Sequence, residues 1–342
     1  MHQVLRFSGA LALLVLSSAA PAAEKPFTIQ ARIAVGGEGG WDCLTADPAS
    51  HRLFLSHGAR VVVVDTKTDS VVGEIAPTSG VHDIALAPRL GRGWTSNGRD
   101  SSVTVFDYVT LKPLAIIKLQ ARNPDVIIYD AASGRVFAFN GGSANATVID
   151  AKTDEIVGSV PLDGHPEFAV TDGLGHLWVN SEDSSTVSLL DTKKLEVIAK
   201  WTLGEGEGPT GLALDRAHHR LFSACGNQKL VVLDSDTGRI VATVPTGKGV
   251  DGCEFDAARG LVFTPNGEGT LTVIHQDGPD QYRVVETAVT ERGARTMTLD
   301  ESTGKLYLPT ADYGTPPEPT ADRPHPRAPI VPGSFRVLVV SR

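Results

Sequence analysis

Asp42, His82, Asp125, Glu167, Thr210, Asp251 and Arg295 follow one another at intervals of 40 to 44 residues, each just ahead of an apolar stretch. Brought to one place, they would gather four carboxylates, an imidazole and a guanidinium. Asn97, Asn140, Asn180 and Asn266 recur in step with them, each closing a short apolar run. Carboxylate and amide oxygens around one point suit a hard divalent cation, and equally a cationic or polyhydroxylated small molecule. Asp125, Glu167, Asn140, Asn180 and Asp251 form the candidate metal ligands. His82 is the candidate proton carrier if a bound cation polarises a carbonyl and activates water. Arg295 is the one permanent cation of the series. It can pair with Asp42 or Asp251, or grip a carboxylate at two points. A solvated opening lined with polar residues would have the same composition with no ligand at all.

Residues forty apart can converge only if the chain repeats, and it does. β-Branched runs ending in an acid recur as Val61-Val-Val-Val-Asp65, Val103-Thr-Val-Phe-Asp107, Thr147-Val-Ile-Asp150, Val187-Ser-Leu-Leu-Asp191 and Leu230-Val-Val-Leu-Asp234. Leu271-Thr-Val-Ile-His275 continues the series, with steps of 42, 43, 41, 43 and 41 residues, and Val337-Leu-Val-Val340 is a late seventh copy. Turns flank each run, and the closing Asp suits turn initiation because its carboxylate can accept a nearby backbone N–H. Four short strands every ~42 residues is the period of a propeller blade. The expected fold is therefore all-β: a seven-bladed β-propeller of four-stranded blades, forming one domain over 23–342. The seventh copy stops at its third strand. The segment 27–35 is expected to supply the fourth, closing the ring and leaving no open edge.

In such a ring the first-strand entries and the second-to-third-strand loops share one face around the central channel, which makes that rim the place to look for a site. Two residues beyond the entries the chain reads Leu44, Ile84, Ile127, Ala169, Leu212, Cys253 and Met297. Period-2 alternation would put both columns on one strand face, polar at the mouth and apolar below.

Leu177-Trp-Val-Asn-Ser-Glu-Asp-Ser-Ser-Thr-Val-Ser-Leu-Leu-Asp-Thr192 and Lys229-Leu-Val-Val-Leu-Asp-Ser-Asp-Thr-Gly-Arg-Ile-Val-Ala-Thr-Val244 resemble the repeat of the YVTN (YncE-like) β-propeller family. The resemblance covers nearly all of 27–342. It implies the propeller and no particular activity, since such folds serve as enzymes, binding modules and scaffolds. Gly204-Glu-Gly-Glu-Gly-Pro209 faintly resembles the opening of metal-dependent gluconolactonase-type propellers, with Glu207 at the matching position.

Arg6, the apolar run from Phe7 to Leu16 and the small residues ending in Ala20-Pro21-Ala22 have the order of a cleavable secretory signal. Cleavage near Ala22 and a periplasmic or secreted mature protein are expected. The run is too short to span a bilayer. The chain is acidic, with a formal charge of −9, and shows no basic block of the kind that contacts nucleic acid. Cys43, Cys225 and Cys253 make an odd number, so at least one thiol stays unpaired within the chain. Buried free thiols are expected, with a Cys225–Cys253 bridge as the alternative. No Cys-x-x-Cys-His is present, so no covalent haem is expected, and no Gly-x-Ser-x-Gly elbow is found. His218-His219 falls in a turn on the face away from the rim. A Pro-rich insertion at 312–334 is expected as an extended arm without internal hydrogen bonds. It is a lid, a docking element or a passive loop, able to bring His325 and Arg327 to the mouth. Two functions remain open: an exported monomeric binding or scaffold propeller with a small-molecule or protein partner at the rim, or a metal-assisted hydrolase of the lactonase type.

Overall fold

The computed structural model describes residues 25–320 and 326–342; the expected leader 1–22 and His325 lie outside the described residues. Twenty-eight strands form seven four-stranded antiparallel sheets. The only helices among the described residues are the single turns Pro88–Leu90 and Gly141–Ser143. Six blades are contiguous in sequence, at 44–75, 81–118, 124–161, 166–202, 209–245 and 254–289. The seventh joins Thr298–Asp300, Lys305–Thr310 and Arg336–Ser341 to the N-terminal strand Thr28–Ala34.

Burial explains why each strand reads as it does. Middle strands are covered on both faces by neighbouring blades, so they are nearly continuous apolar runs, as in Arg52–His57 and Arg60–Asp65. Outer strands meet water on one side, and Ser70–Ile75 buries only its last residue. The core is accordingly divided into seven clusters, one at each blade-to-blade interface. Burying each Val, Leu, Ile or Phe contributes about 1.5–3 kcal/mol.

The ring closes through the chain's beginning. Thr28–Ala34 runs antiparallel to Arg336–Ser341, from Thr28 opposite Ser341 to Ala34 opposite Arg336, and skips Gln30 in a bulge. The outer strands of the other blades skip Val72, Leu114, Val157, Ile198, Val241 and Val285 in the same way. The N-terminal strand thus reproduces the outer strand in detail. Such bulges twist an exposed edge away from pairing with another chain.

The repeated acids do what turn chemistry asks of them. Asp65, Asp107, Asp150, Asp191 and Asp234 each accept backbone N–H bonds from the residues two and three positions on. Those bonds hold Asp65, Asp107, Asp150 and Asp191 below the usual carboxylate range.

Two expectations need correction. The inner strands do not alternate evenly at the rim: between Val81 and Ile84, Pro124 and Ile127, Pro166 and Ala169, and Pro209 and Leu212 the pairing with the second strand slips. The entry residues sit inside these bulges, freed from the ladder, while the apolar column two residues on packs into the inter-blade clusters. The insertion is also hydrogen-bonded at its base. Tyr313 bridges Ile330, Gly314 N–H donates to Pro329 O at 2.8 Å, and Gly333 N–H donates to Gly37 O at 2.9 Å. Trp41 stacks on Phe335 and tilts against Tyr313, so the base is anchored on the N-terminal segment.

Candidate functional site

A polar chain runs round the mouth. Arg295 Nε lies 3.0 Å from Asp251 Oδ2, and its Nη2 lies 3.9 Å from Asp42 Oδ1. His82 Nδ1 contacts Asp42 Oδ2 at 2.7 Å and faces Asp125 Oδ1 at 3.5 Å. His165 Nε2 lies 3.4 Å from Glu167 Oε1. The ligand atoms of Asp125, His165 and Glu167 fall within 4.8 Å of one another, as do those of Asp42, His82 and Asp125. The sixth, seventh, first, second, third and fourth blades are joined in that order. Thr210 ties in the fifth blade: its hydroxyl donates to Val250 O at 3.4 Å and its C=O accepts from Asn180 at 2.9 Å. Six of the seven expected entry residues therefore meet, at side-chain exposures from 15% for Asp125 and Glu167 to 42% for Arg295, a mouth open to water.

Bulges explain the convergence. Strand side chains alternate between one neighbouring blade and the other, and neither direction is the channel. Inserting an extra residue re-aims the side chains it carries. Side-chain bonds to the backbone hold the bulges in place. Asp83 is half-buried beside His82; its carboxylate accepts Ile84 N–H at 2.7 Å and, from the next blade, Ile127 N–H at 3.1 Å. Ser96 Oγ holds Asp125 O.

Crowding of acids sets the electrostatics. Burial, then the charges of Asp125, Asp251, Glu182 and Asp42, push Glu167 up to about 9. Burial raises Asp83 to about 7, with Asp42 and Asp125 adding to it against its two N–H bonds. Burial likewise raises Asp125 and Asp251, each partly offset by a cation, His82 and Arg295 respectively. His82 rises too, but against its burial, which would lower it: the bond to Asp42 and the charge of Asp125 outweigh burial and carry it to about 9. Beneath the mouth, burial and the same carboxylates keep the Cys43 thiol protonated. At neutral pH the site thus holds protons that a cation would displace.

The four asparagines expected at the rim do not face solvent. All are fully buried. Asn97, Asn140 and Asn266 clamp their own hairpins through hydroxyls such as Thr104, Thr147 and Thr272. Asn180 donates to Thr210 O and Gly211 O, tying the fourth blade to the fifth. Asn140 and Asn180 are thus buried ties, one within its hairpin and one between blades, not groups exposed at the mouth. Glu207 is exposed on its own loop, and Glu205 beside it pairs with Lys229. His218 and His219 pair with Asp215 and Asp236 away from the mouth. The three cysteines are free and buried. Two clefts of about 470 and 460 Å³ lie elsewhere, the larger lined by Lys118, Asn145 and Ser159, and neither touches the acidic cluster.

His165 and Glu182 were not foreseen, yet the repeat carries a signal for both. Two residues ahead of each entry stand Gly40, Gly80, Asn123, His165, Gly208, Gly249 and Gly293. In six blades that residue's C=O accepts the N–H of Gly58, Gly98, Gly141, Glu182, Gly226 or Gly267. Only the fourth blade replaces the facing glycines by two ionisable residues.

Fold and site together define the class: a seven-bladed β-propeller with an acidic, imidazole-bearing channel mouth. No family model matches the chain, and no curated protein does. Solved structures match in number, 1836 chains in all, so the fold is widely shared and identifies no activity by itself. One of them, hydrazine synthase of Kuenenia stuttgartiensis, superposes with a TM-score of 0.70 at 17% identity, covering 79% of this chain and 92% of that one. At that identity the likeness is one of fold.

Proposed function

We propose that this is an exported binding propeller of the YVTN type whose channel mouth captures a cationic ligand. The observation that carries this reading is the acid excess at the mouth. Asp42, Asp125, Glu167 and Asp251 converge, while Arg295 is the one permanent cation among the entry residues and is shared between two of them. Export rests on the order of Arg6, the Phe7–Leu16 run and Ala20-Pro21-Ala22, and the family assignment on the repeat residues. A mature N-terminus at Ala23 in the extracellular or periplasmic fraction tests the former.

A cation that draws Glu167 into its charged form must expel a proton. Binding of an organic dication such as putrescine is therefore expected to release protons and to tighten as pH rises from 6 to 9. Calorimetry in buffers of different ionisation enthalpy measures this directly. Glu167→Gln should reduce the proton release and weaken binding, whereas pH-independent binding would refute the role given to the mouth. Hydrolysis has less support. His82, held near 9, is an acid at neutral pH and becomes a base only after a cation displaces its proton. The test for hydrolysis is turnover of a lactone panel by the metal-loaded protein, with loss in His82→Gln.

A further inference from the structure

The two triads at the mouth meet at one residue. Asp125 belongs to both, flanked on one side by Asp42 and His82 and on the other by His165 and Glu167, with all ligand atoms of each triad within 4.8 Å of one another. The five side chains come from four successive blades or their entry loops, so no single turn or helix makes the group. The two imidazoles set it apart from a patch of surface acids. Imidazole with carboxylate is a ligand set for divalent transition metals, with affinities in the Irving–Williams order.

Glycines stand behind both imidazoles. A Cβ added to Gly98 would lie 2.6 Å from His82 Nε2, and one added to Gly141 would fall on His165 Nε2. Neither glycine has the positive φ that would demand glycine for the backbone's sake. Both positions follow the second strand of their blades, and both leave a cradle that an imidazole ring fills. Glycine also stands there in the first, fifth and sixth blades as Gly58, Gly226 and Gly267, so it belongs to the repeat; in these two blades an imidazole takes the space it leaves, and a larger residue would push each ring off its carboxylate.

We propose that Asp125 is the shared ligand of two neighbouring divalent transition-metal positions, one completed by Asp42 and His82 and the other by His165 and Glu167. This rests on the reading of the mouth as a cation site and names the cation. Each position would have three protein ligands, leaving room for water or an incoming ligand, as open metal sites do. A carboxylate bridge suits ions about 3.5–4 Å apart. A metal there would be held by the His82 nitrogen and the Asp42 oxygen that now face each other at 2.7 Å. Arg295 and Asp251 lie on the far side of Asp42 and compensate each other outside the metal group.

The test uses the mature full-length protein, stripped with chelator and titrated with Zn²⁺ and with Co²⁺, whose absorption reports coordination. Two equivalents per chain are expected. His82→Gln and His165→Gln should each retain one, and Asp125→Asn should weaken both at least 100-fold. Gly98→Ala, whose backbone tolerates alanine, should weaken the His82 position alone by 10-fold or more. One equivalent in the wild type, or two retained by Asp125→Asn, would overturn the shared ligand. No bound metal would overturn the inference altogether. If Asp125→Asn does not fold, the two His variants decide alone: the inference stands if each loses a different equivalent, and falls if either keeps both. Putrescine titrated into the same stripped protein separates the two levels. Putrescine bound without metal removes only the metal assignment, while neither ligand bound removes the cation-site reading as well.

Discussion

Asp130 and Glu167 are both carboxylates near a blade's inner strand, yet they have opposite surroundings. Asp130 is fully buried and accepts from Ser133 N–H, Ser133 Oγ, Thr171 Oγ1 and Thr192 Oγ1 at 2.6–2.9 Å, joining the third blade to the fourth. Glu167 has His165 at 3.4 Å and otherwise faces acids. The first is satisfied by protein, and the second is arranged for something the protein does not supply. Asp130→Ala strands several buried donors, each costing about 1–3 kcal/mol. A loss of about 3 kcal/mol or more in urea unfolding is expected, with cation binding at the mouth unchanged in the folded protein. Glu167→Gln should do the reverse, altering binding while raising stability near neutral pH, because folding no longer has to protonate a carboxylate that is ionised in the unfolded chain.

At the scale of elements, the decisive pieces are the N-terminal strand and the inner-strand bulges. Ile33 in Thr28–Ala34 is 2% exposed and packs with Leu44, Leu55, Val337 and Val339, joining the last blade to the first. Ile33→Ala should cost about 2–4 kcal/mol, as truncated core aliphatics do. Deleting 25–36 should go further and expose the edge of Arg336–Ser341, giving oligomers in light scattering together with a lower melting temperature. A monomer of unchanged stability would mean that the pairing contributes nothing to closure. The inner bulges work at the other end of each blade. They cost a few ladder hydrogen bonds and turn His82, Asp125 and Glu167 out of the sheet. The Pro-rich insertion starts and ends beside this region, its base fixed by Tyr313, Phe335 and Trp41. Deleting 315–328 should leave the fold intact, because the deletion spares the Asp312–Arg336 pair and the bridge at Ile330.

For the whole molecule, the mouth makes stability depend on pH. Glu167 and His82 at about 9, Glu254 at about 8 and Asp83 at about 7 all sit above their ordinary values, burial being the largest cause for the three acids. Between about pH 5 and 9 the folded state therefore binds more protons than the unfolded chain, and stability falls as pH rises. The stripped protein should melt at a lower temperature at pH 9 than at pH 6. Metal or an organic dication should shrink that difference by supplying the missing positive charge, and Glu167→Gln should reduce it in the stripped protein. A melting temperature that rises over this window would contradict the charge arrangement described here.

Repetition made the architecture legible without coordinates. Six β-branched runs at an almost constant step and a late seventh admit few other folds, and a last repeat short of one strand pointed to the segment at the opposite end that pairs with it. The entry residues were legible as a column for the same reason. What the residues alone did not disclose was direction. Strict alternation would have put the entries and the apolar column on one face, and a bulge, whose position depends on how two strands pair, separated them. Nor did residue type separate the Asn97 column from the mouth: an amide at a strand end is a ligand or a hairpin clamp according to which hydroxyls the fold brings within 3 Å. His165 and Glu182 were visible only as departures from paired glycines, and that pairing exists across a loop contact rather than along the chain. Local sequence determined which segments become strands and where they turn; packing of blade against blade decided which side chains share the channel mouth, because only the closed ring sets distances between residues forty positions apart.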